Sequence, residues 1–547
     1  MTTSPSDRLA DLFAGLNLDQ DDPAAPYLGL RRLQSGLGVT RPLLTDVACL
    51  RSVLELSAMT DPRLFFAMLL HHCVAIGAAL DHGAAERDVD DLVSARWIGA
   101  ALMNELGHGN SSSRIRTEAE YDPVTREFVL TTPGPEAAKH PAAVALPGFA
   151  RLGVVSARLL VGGQDRGTSL FLVALSDEDG PSEGVTITPY DGAAPVPMDF
   201  ASIRFDGVRV PFERWLSDGA SIDADGTYVD PLGDPRARSL RGVSMGRFTW
   251  GGSSTGVAAV ARASAAIALT RVRHRRTLDL LGGEVVALDH LSTQRLVFGA
   301  LAAALTATVV ARDLSERCWQ ISPAGGLGTG PSASDLRAMS LGKVTASVLA
   351  DSAVARARSA CGASSFLPQH RLIGYHALTG VFQSASGDNR LYLLNAAWSM
   401  ATGSDYEPPD DTGDDDWISL LRARERLLHA ELTADLTPSF EVWNERTELA
   451  QRFAEAHSAR VSAELLYAEW HPSPLLMDLY ELRCLELVSA DAGWFLAHDL
   501  VSAADVLAFP AHVNAICRGL VPRADELLVL LEIPAGLLGT TGFLRGT

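Results

Sequence analysis

The chain has 547 residues, with 46 Lys and Arg against 66 Asp and Glu, a net charge of −20 and a pI near 5.1. That length buries a large core spread over several domains, and so acidic a surface repels phosphate backbones and anionic headgroups, which sets aside nucleic-acid and membrane partners. With 47% hydrophobic and 20% charged residues, the composition is that of a folded chain and not of a disordered one.

The N-terminus, MTTSPSDRLADLFAGL, carries no basic segment followed by an apolar run, and no stretch of about 18 uninterrupted apolar residues occurs. Neither secretion nor membrane spanning is expected. Residues 1–112 alternate apolar clusters with helix formers, as in LFFAMLLHHCVAIGAAL and DLVSARWIGAALMNEL, and predict a helical N-terminal domain. His71 and His72 lie in such an apolar run and read as helix packing. Residues 113–218 change to short β-rich runs, EFVLTT, LGVVSARLLV, TSLFLVAL and ASIRFDGVRVP, broken by Gly, Pro and Asp, and predict a β domain. After a turn-rich stretch, long Ala-rich helical patterns fill 240–404, and 219–404 is predicted to be a helical bundle. The acidic segment 405–416 reads as a solvated linker, and 417–547 as a second helical domain. The fold class is therefore mostly α with a central β domain.

Six cysteines stand far apart with no CxxC pair and no histidine at zinc spacing, so no metal site is expected and the thiols point to a reducing, cytoplasmic setting. Gly252-Ser253-Ser254-Thr255-Gly256 matches the GxSxG of a hydrolase elbow, but it precedes an Ala-rich helix without a buried strand before it. The Gly-rich run at 325–330 lacks the Lys-Ser/Thr of a phosphate-binding loop.

Met103-Asn104-Glu105-Leu106-Gly107-His108-Gly109-Asn110, followed by Thr117 and Tyr121-Asp122-Pro123, resembles the T-E-L-G-H-G segment and Y-D-P turn of acyl-CoA oxidases. Further similar motifs keep that family's order: Phe205-Asp206-Gly207-Val208-Arg209-Val210-Pro211, Arg275-Arg276, Leu288-Asp289-His290 through Gln294, Cys361-Gly362 and Gly387-Asp388-Asn389. The resemblance implies an acyl-CoA dehydrogenase-like fold with an extra C-terminal helical domain. It implies FAD as cofactor and an acyl thioester of CoA or of an acyl-carrier protein as substrate, with the cofactor and substrate site in the bundle 219–404. A glutamate would remove the α-proton, the flavin would take the β-hydride and O2 would reoxidise it. It also implies a dimer, a homodimer or a heterodimer, and the little-charged stretch Gly256–Leu269 is expected to need apolar partners on more than one face.

The residues that the resemblance assigns to the cofactor are Asn104, Gly107, Gly109, Asn110, His140, Arg275, Gly362 and Asn389. At the catalytic position the chain departs from the pattern, because Ser386 stands where the family has its glutamate, and a serine hydroxyl does not take an α-proton near pH 7 without a second base. Asp388 is the remaining candidate base. Lys139-His140-Pro141 replaces K-W-W, Asn104 replaces a threonine, Leu291 a glutamine and Ala363 a glycine. The reading is an acyl-CoA oxidase-like flavoprotein. The alternative is a repurposed flavin monooxygenase, or a flavin-free, redox-neutral enzyme or structural partner in a biosynthetic pathway.

Overall fold

The computed structural model describes residues 5–109, 114–192, 194–321, 331–410, 412, 415–537 and 543–544. They divide into two compact units, Met1–Ser253 with Ser315–Ser332, and Ser254–Leu314 with Ala333–Thr547. The chain passes between units within the helices Gly246–His274 and Leu291–Cys318.

The first unit opens with helices Pro5–Ala14, Ala25–Leu37, Val47–Thr60 and Pro62–Met68, the last two started by Asp46 and Asp61, whose carboxylates accept from backbone N–H groups of the first turn. Leu69–Ile76 continues as a π-helix and places His71 and His72 in the core. His71 Nδ1 accepts from Gly99 N at 2.9 Å, and burial pulls its pKa down to about 4, so it is a neutral packing residue. Among the described residues no group of three metal-ligating side chains forms.

Next comes a nine-stranded sheet: β1 (Ile98–Leu102), β2 (Glu118–Asp122), β3 (Glu127–Thr131), β4 (Lys139–Ala143), β5 (Arg151–Val161), β6 (Gln164–Ser176), β7 (Val185–Pro189), β8 (Phe200–Pro211) and β9 (Trp215–Leu216). Its main path is β4-β8-β3-β2-β5-β6-β9, with β1 joined parallel to β5 and β7 antiparallel to β8. Strand β5 is apolar along nearly its whole length because both of its faces are covered, whereas β8 alternates buried and exposed residues and turns one face to water. Phe128, Phe171, Phe205 and Trp215 fill the core, each worth roughly 1.5–3 kcal/mol of burial. The strand Ile98–Leu102 corrects the expected helix over this stretch: IGAAL is a short apolar run that fits either state, and pairing with β5 decides it.

In the second unit the helices Ala333–Cys361, Leu372–Val381 and Asn389–Thr402 are followed by Asp416–Thr433, Thr447–Trp470, Pro474–Ala490 and Ala503–Leu520. The segment expected to be a solvated linker is partly anchored, since Tyr406 donates to Glu425 at 2.7 Å and packs on His429 and Phe453. Pro62–Asp81, Pro235–His274 and Leu291–Cys318 are long and apolar enough to cross a membrane, but 89% of each apolar window is buried in the fold, which accounts for their composition.

Candidate functional site

The hydrolase-like run at 252–256 lies inside the helix Gly246–His274 with every residue buried. Gly252 is there for packing: a Cβ would come 2.3 Å from Leu69 Cδ1 and 3.0 Å from Cys73 Sγ. The Gly-rich run at 325–330 lies outside the described residues.

In the first unit, residues 104–107 run beside 136–140. Leu106 N donates to Ala138 O at 2.9 Å, Gly107 N to Glu136 O at 2.8 Å, and His140 N to Asn104 O at 3.1 Å. Alternation along this rung turns Glu105 inward and leaves Asn104, Leu106 and Gly107 exposed, with Gly109 exposed beyond them. The Glu105 carboxylate accepts from Arg116 N and Thr117 N, both at 2.9 Å, from Thr117 Oγ1 at 2.7 Å and from Lys139 Nζ at 3.2 Å. Burial works to raise the Glu105 carboxyl, but Lys139 and the bonds from Thr117 and Arg116 outweigh it and hold it below its ordinary value. Burial lowers Lys139 to about 8 despite its partner. This pair fixes the edge that carries Asn104, Gly107 and His140.

Gly107 has a local reason to be glycine, because a Cβ would sit 2.8 Å from Glu136 Cβ, whereas Gly109 has nothing within 4 Å of its would-be side chain. His140 is half-buried, its Nδ1 bonded to the Tyr190 hydroxyl and its pKa lowered by burial, so a neutral ring faces this edge in place of an aromatic wall. Asn110 lies outside the described residues.

The second unit holds the other candidates in two places. Arg275 is half-buried beside Gly362, whose φ of +72° closes the helix Ala333–Cys361, and a Cβ there would approach Arg275 Nη1 to 3.2 Å. Among the described residues its guanidinium has no carboxylate partner, which leaves its donors available to an anion. Arg276, in contrast, is exposed and faces Glu284 at 3.8 Å.

The loop at 382–389 gathers Ser386, Asp388 and Asn389. Ser386 has φ +58° and Gly387 φ +93°, and only glycine fits at 387, where a Cβ would overlap Tyr392 Oη at 1.8 Å. Asp388 caps the helix Asn389–Thr402: its Oδ1 accepts from Arg390 N at 2.9 Å and Leu391 N at 3.3 Å. Asn389 is also engaged internally, accepting from Lys343 Nζ at 2.8 Å and donating to Ser347 Oγ at 3.0 Å and Gln383 Oε1 at 2.9 Å. As placed, Asp388 caps this helix and Asn389 braces the loop. Glu105 and Lys343 were not foreseen as site residues, although Lys343 is a lone charge inside a largely apolar run.

No protein-family model matches the chain. It is 31% identical over 245 residues to the putative acyl-coenzyme A oxidase 3.2, peroxisomal, of Arabidopsis thaliana, covering 44% of this chain and 35% of that protein. It is 26% identical over 344 residues to peroxisomal acyl-coenzyme A oxidase 1 of Bos taurus, covering 60% of this chain and 50% of that one. The chain thus spans between a third and a half of the length of these relatives. In structure it matches acyl-CoA oxidase 1 from Yarrowia lipolytica with a TM-score of 0.80 at 18% identity, over 97% of this chain and 87% of that one. The chain is therefore similar to acyl-CoA oxidases in sequence and shares their fold. Another oxidase structure, acyl-CoA oxidase-2 of Caenorhabditis elegans, described as bound with FAD, ascaroside-CoA and ATP, matches with a TM-score of 0.75 at 19% identity, over 98% of this chain and 91% of that one. The mostly α architecture with a central sheet is thus the acyl-CoA oxidase fold.

Proposed function

We propose that this protein is an FAD-dependent oxidase of acyl thioesters, converting the Cα–Cβ single bond to a double bond while O2 is reduced to H2O2. The observation that carries this reading is the sequence relationship to acyl-CoA oxidases, 31% identity over 245 residues. The residues present suit the cofactor. In the second unit Arg275, with no carboxylate partner among the described residues and close to Gly362, is suited to a pyrophosphate; taken by itself, the first unit offers an exposed edge with Asn104, Gly107, Gly109 and His140. FAD, when bound, supplies the hydride acceptor that O2 restores. The protein's own residues then have to bind the thioester, exclude water and take the α-proton.

The last task is the one this chain does poorly. Ser386 offers a hydroxyl where a carboxylate is needed, and the Asp388 carboxylate is held by backbone N–H groups. A missing general base typically lowers the rate about 10²–10⁴-fold, so slow dehydrogenation is expected. The thioester carrier is CoA or an acyl-carrier protein, and the assembly is a homodimer. The names of the plant and cattle relatives favour a peroxisomal over a cytoplasmic setting. The division at 112, 218, 404 and 416 into four domains and an acidic linker stands as our domain assignment.

The test is the visible spectrum of the purified protein, then anaerobic bleaching with acyl-CoA. We expect a yellow protein that wild-type Ser386 bleaches slowly and Ser386→Glu bleaches about 10²-fold or more faster, with Ser386→Ala close to wild type. A colourless protein that neither binds FAD nor bleaches overturns the reading, as does incorporation of oxygen into the product.

A further inference from the structure

Lys343 lies midway along the helix Ala333–Cys361 and is fully buried. An ammonium group has three N–H donors, and all three are taken: by Phe382 O at 2.8 Å, Gly387 O at 2.7 Å and Asn389 Oδ1 at 2.8 Å. Every acceptor comes from one loop. One turn further along the same helix, Ser347 Oγ accepts from Asn389 Nδ2 at 3.0 Å and Ser347 O accepts from Gln383 Nε2 at 3.0 Å. The helix therefore grips the loop at two positions, and the gripped residues flank Ser386 on both sides.

That grip has a backbone to hold. Ser386 at φ +58° and Gly387 at φ +93° form a left-handed pair, a conformation that a non-glycine residue such as Ser386 keeps only where its surroundings enforce it. Tyr392 adds a bond from its hydroxyl to Ser386 O at 3.2 Å. Burial lowers Lys343 to about 7, opposed by the Asp388 charge. A buried lysine so placed invites a reading as the missing base, but the geometry argues otherwise, because a neutral amine would leave one of the three oxygens without a donor.

We propose that Lys343 is a positioning residue, which fixes the 382–389 loop and so aims whatever group stands at position 386. This rests on the oxidase reading only for what position 386 does; the grip itself is a property of the loop.

The experiment uses the full-length flavoprotein carrying Ser386→Glu, with Lys343→Met or Lys343→Arg added. Two readouts are taken: the anaerobic bleaching rate as a function of acyl-CoA concentration, and backbone amide exchange across 383–392. Lys343→Met should lower the saturating rate at least about tenfold while the half-saturating concentration moves less than about threefold, and should speed exchange in 383–392 but not in β5. Lys343→Arg should recover part of both. Unchanged rate and unchanged exchange in Lys343→Met overturn the proposal. If no variant bleaches, the oxidase reading has failed and exchange alone decides: faster exchange supports the grip, unchanged exchange overturns it. Should Lys343→Met not fold, Asn389→Ala, which removes one lysine acceptor and both bonds toward Ser347 and Gln383, must show the faster local exchange or the proposal falls.

Discussion

Glu105 and Lys139 are 0% exposed, and such a pair is costly to break and less costly to remove whole. Lys139→Met leaves a carboxylate buried with only Arg116 and Thr117 as donors, so it should cost about 3–5 kcal/mol in urea unfolding. Glu105→Gln with Lys139→Met should recover part of that loss. A double variant no better than the single would mean that the lysine stem, not the charge pairing, holds this edge. Arg275 makes the opposite case, a charge with no carboxylate partner among the described residues. Arg275→Met should leave the unfolding midpoint of the flavin-free protein unchanged but weaken FAD retention about 10- to 100-fold, read by the flavin released on dilution, because each charge-assisted bond is worth about 1.5–3 kcal/mol.

At the scale of elements, what the sequence disclosed depended on how local the deciding interaction is. The strands of β5, β6 and β8 follow from apolar periodicity and turn residues. The strand Ile98–Leu102 does not, because small apolar residues fit either state and the choice is made by β5, about 50 residues away. The same holds for Lys343, which finds its acceptors at 382, 387 and 389. Glu425, in the helix Asp416–Thr433, is a further case: it is fully buried and bonded to His457 and Arg460 of the helix Thr447–Trp470. Burial works to raise its carboxyl, but His457 and Arg460 outweigh it and hold the pKa at about 2, down from 4.5. A depressed carboxyl contributes its stability above the unfolded pKa and loses it as the pH falls toward the folded one. The interval corresponds to about 3 kcal/mol, present above about pH 4.5 and gone near pH 2. In an acid titration followed by near-ultraviolet circular dichroism, Glu425→Gln should be less stable than wild type at pH 7, with the gap closing between pH 4.5 and 2. A gap that stays constant through that window would show that packing, not ionisation, carries the effect.

For the whole molecule, the expectation that Gly256–Leu269 presents apolar faces to a partner is corrected by the fold, since every residue of that stretch is already buried within the chain. The proposed homodimer would then use another surface, and the hairpin Arg276–Leu278 with Glu284–Val286 offers one. Asp279 Oδ1 accepts from Leu281 N at 2.8 Å and Gly283 N at 2.7 Å, which stiffens the turn, and Leu280 and Leu281 at its tip are 105% and 96% exposed. Holding two leucines fully in water on a stiff turn gains nothing within the chain, while burying both against another subunit is worth roughly 3–6 kcal/mol. Sedimentation velocity at micromolar concentration should therefore find a particle of twice the 58.2 kDa chain mass. Leu280→Asp with Leu281→Asp should weaken association at least about 100-fold. Because these side chains are fully exposed, the double variant should unfold at the same urea concentration as wild type once both are diluted to monomer. A wild type that sediments at the chain mass removes the dimer altogether; a double variant that still sediments as a dimer keeps the dimer but places its interface away from this hairpin.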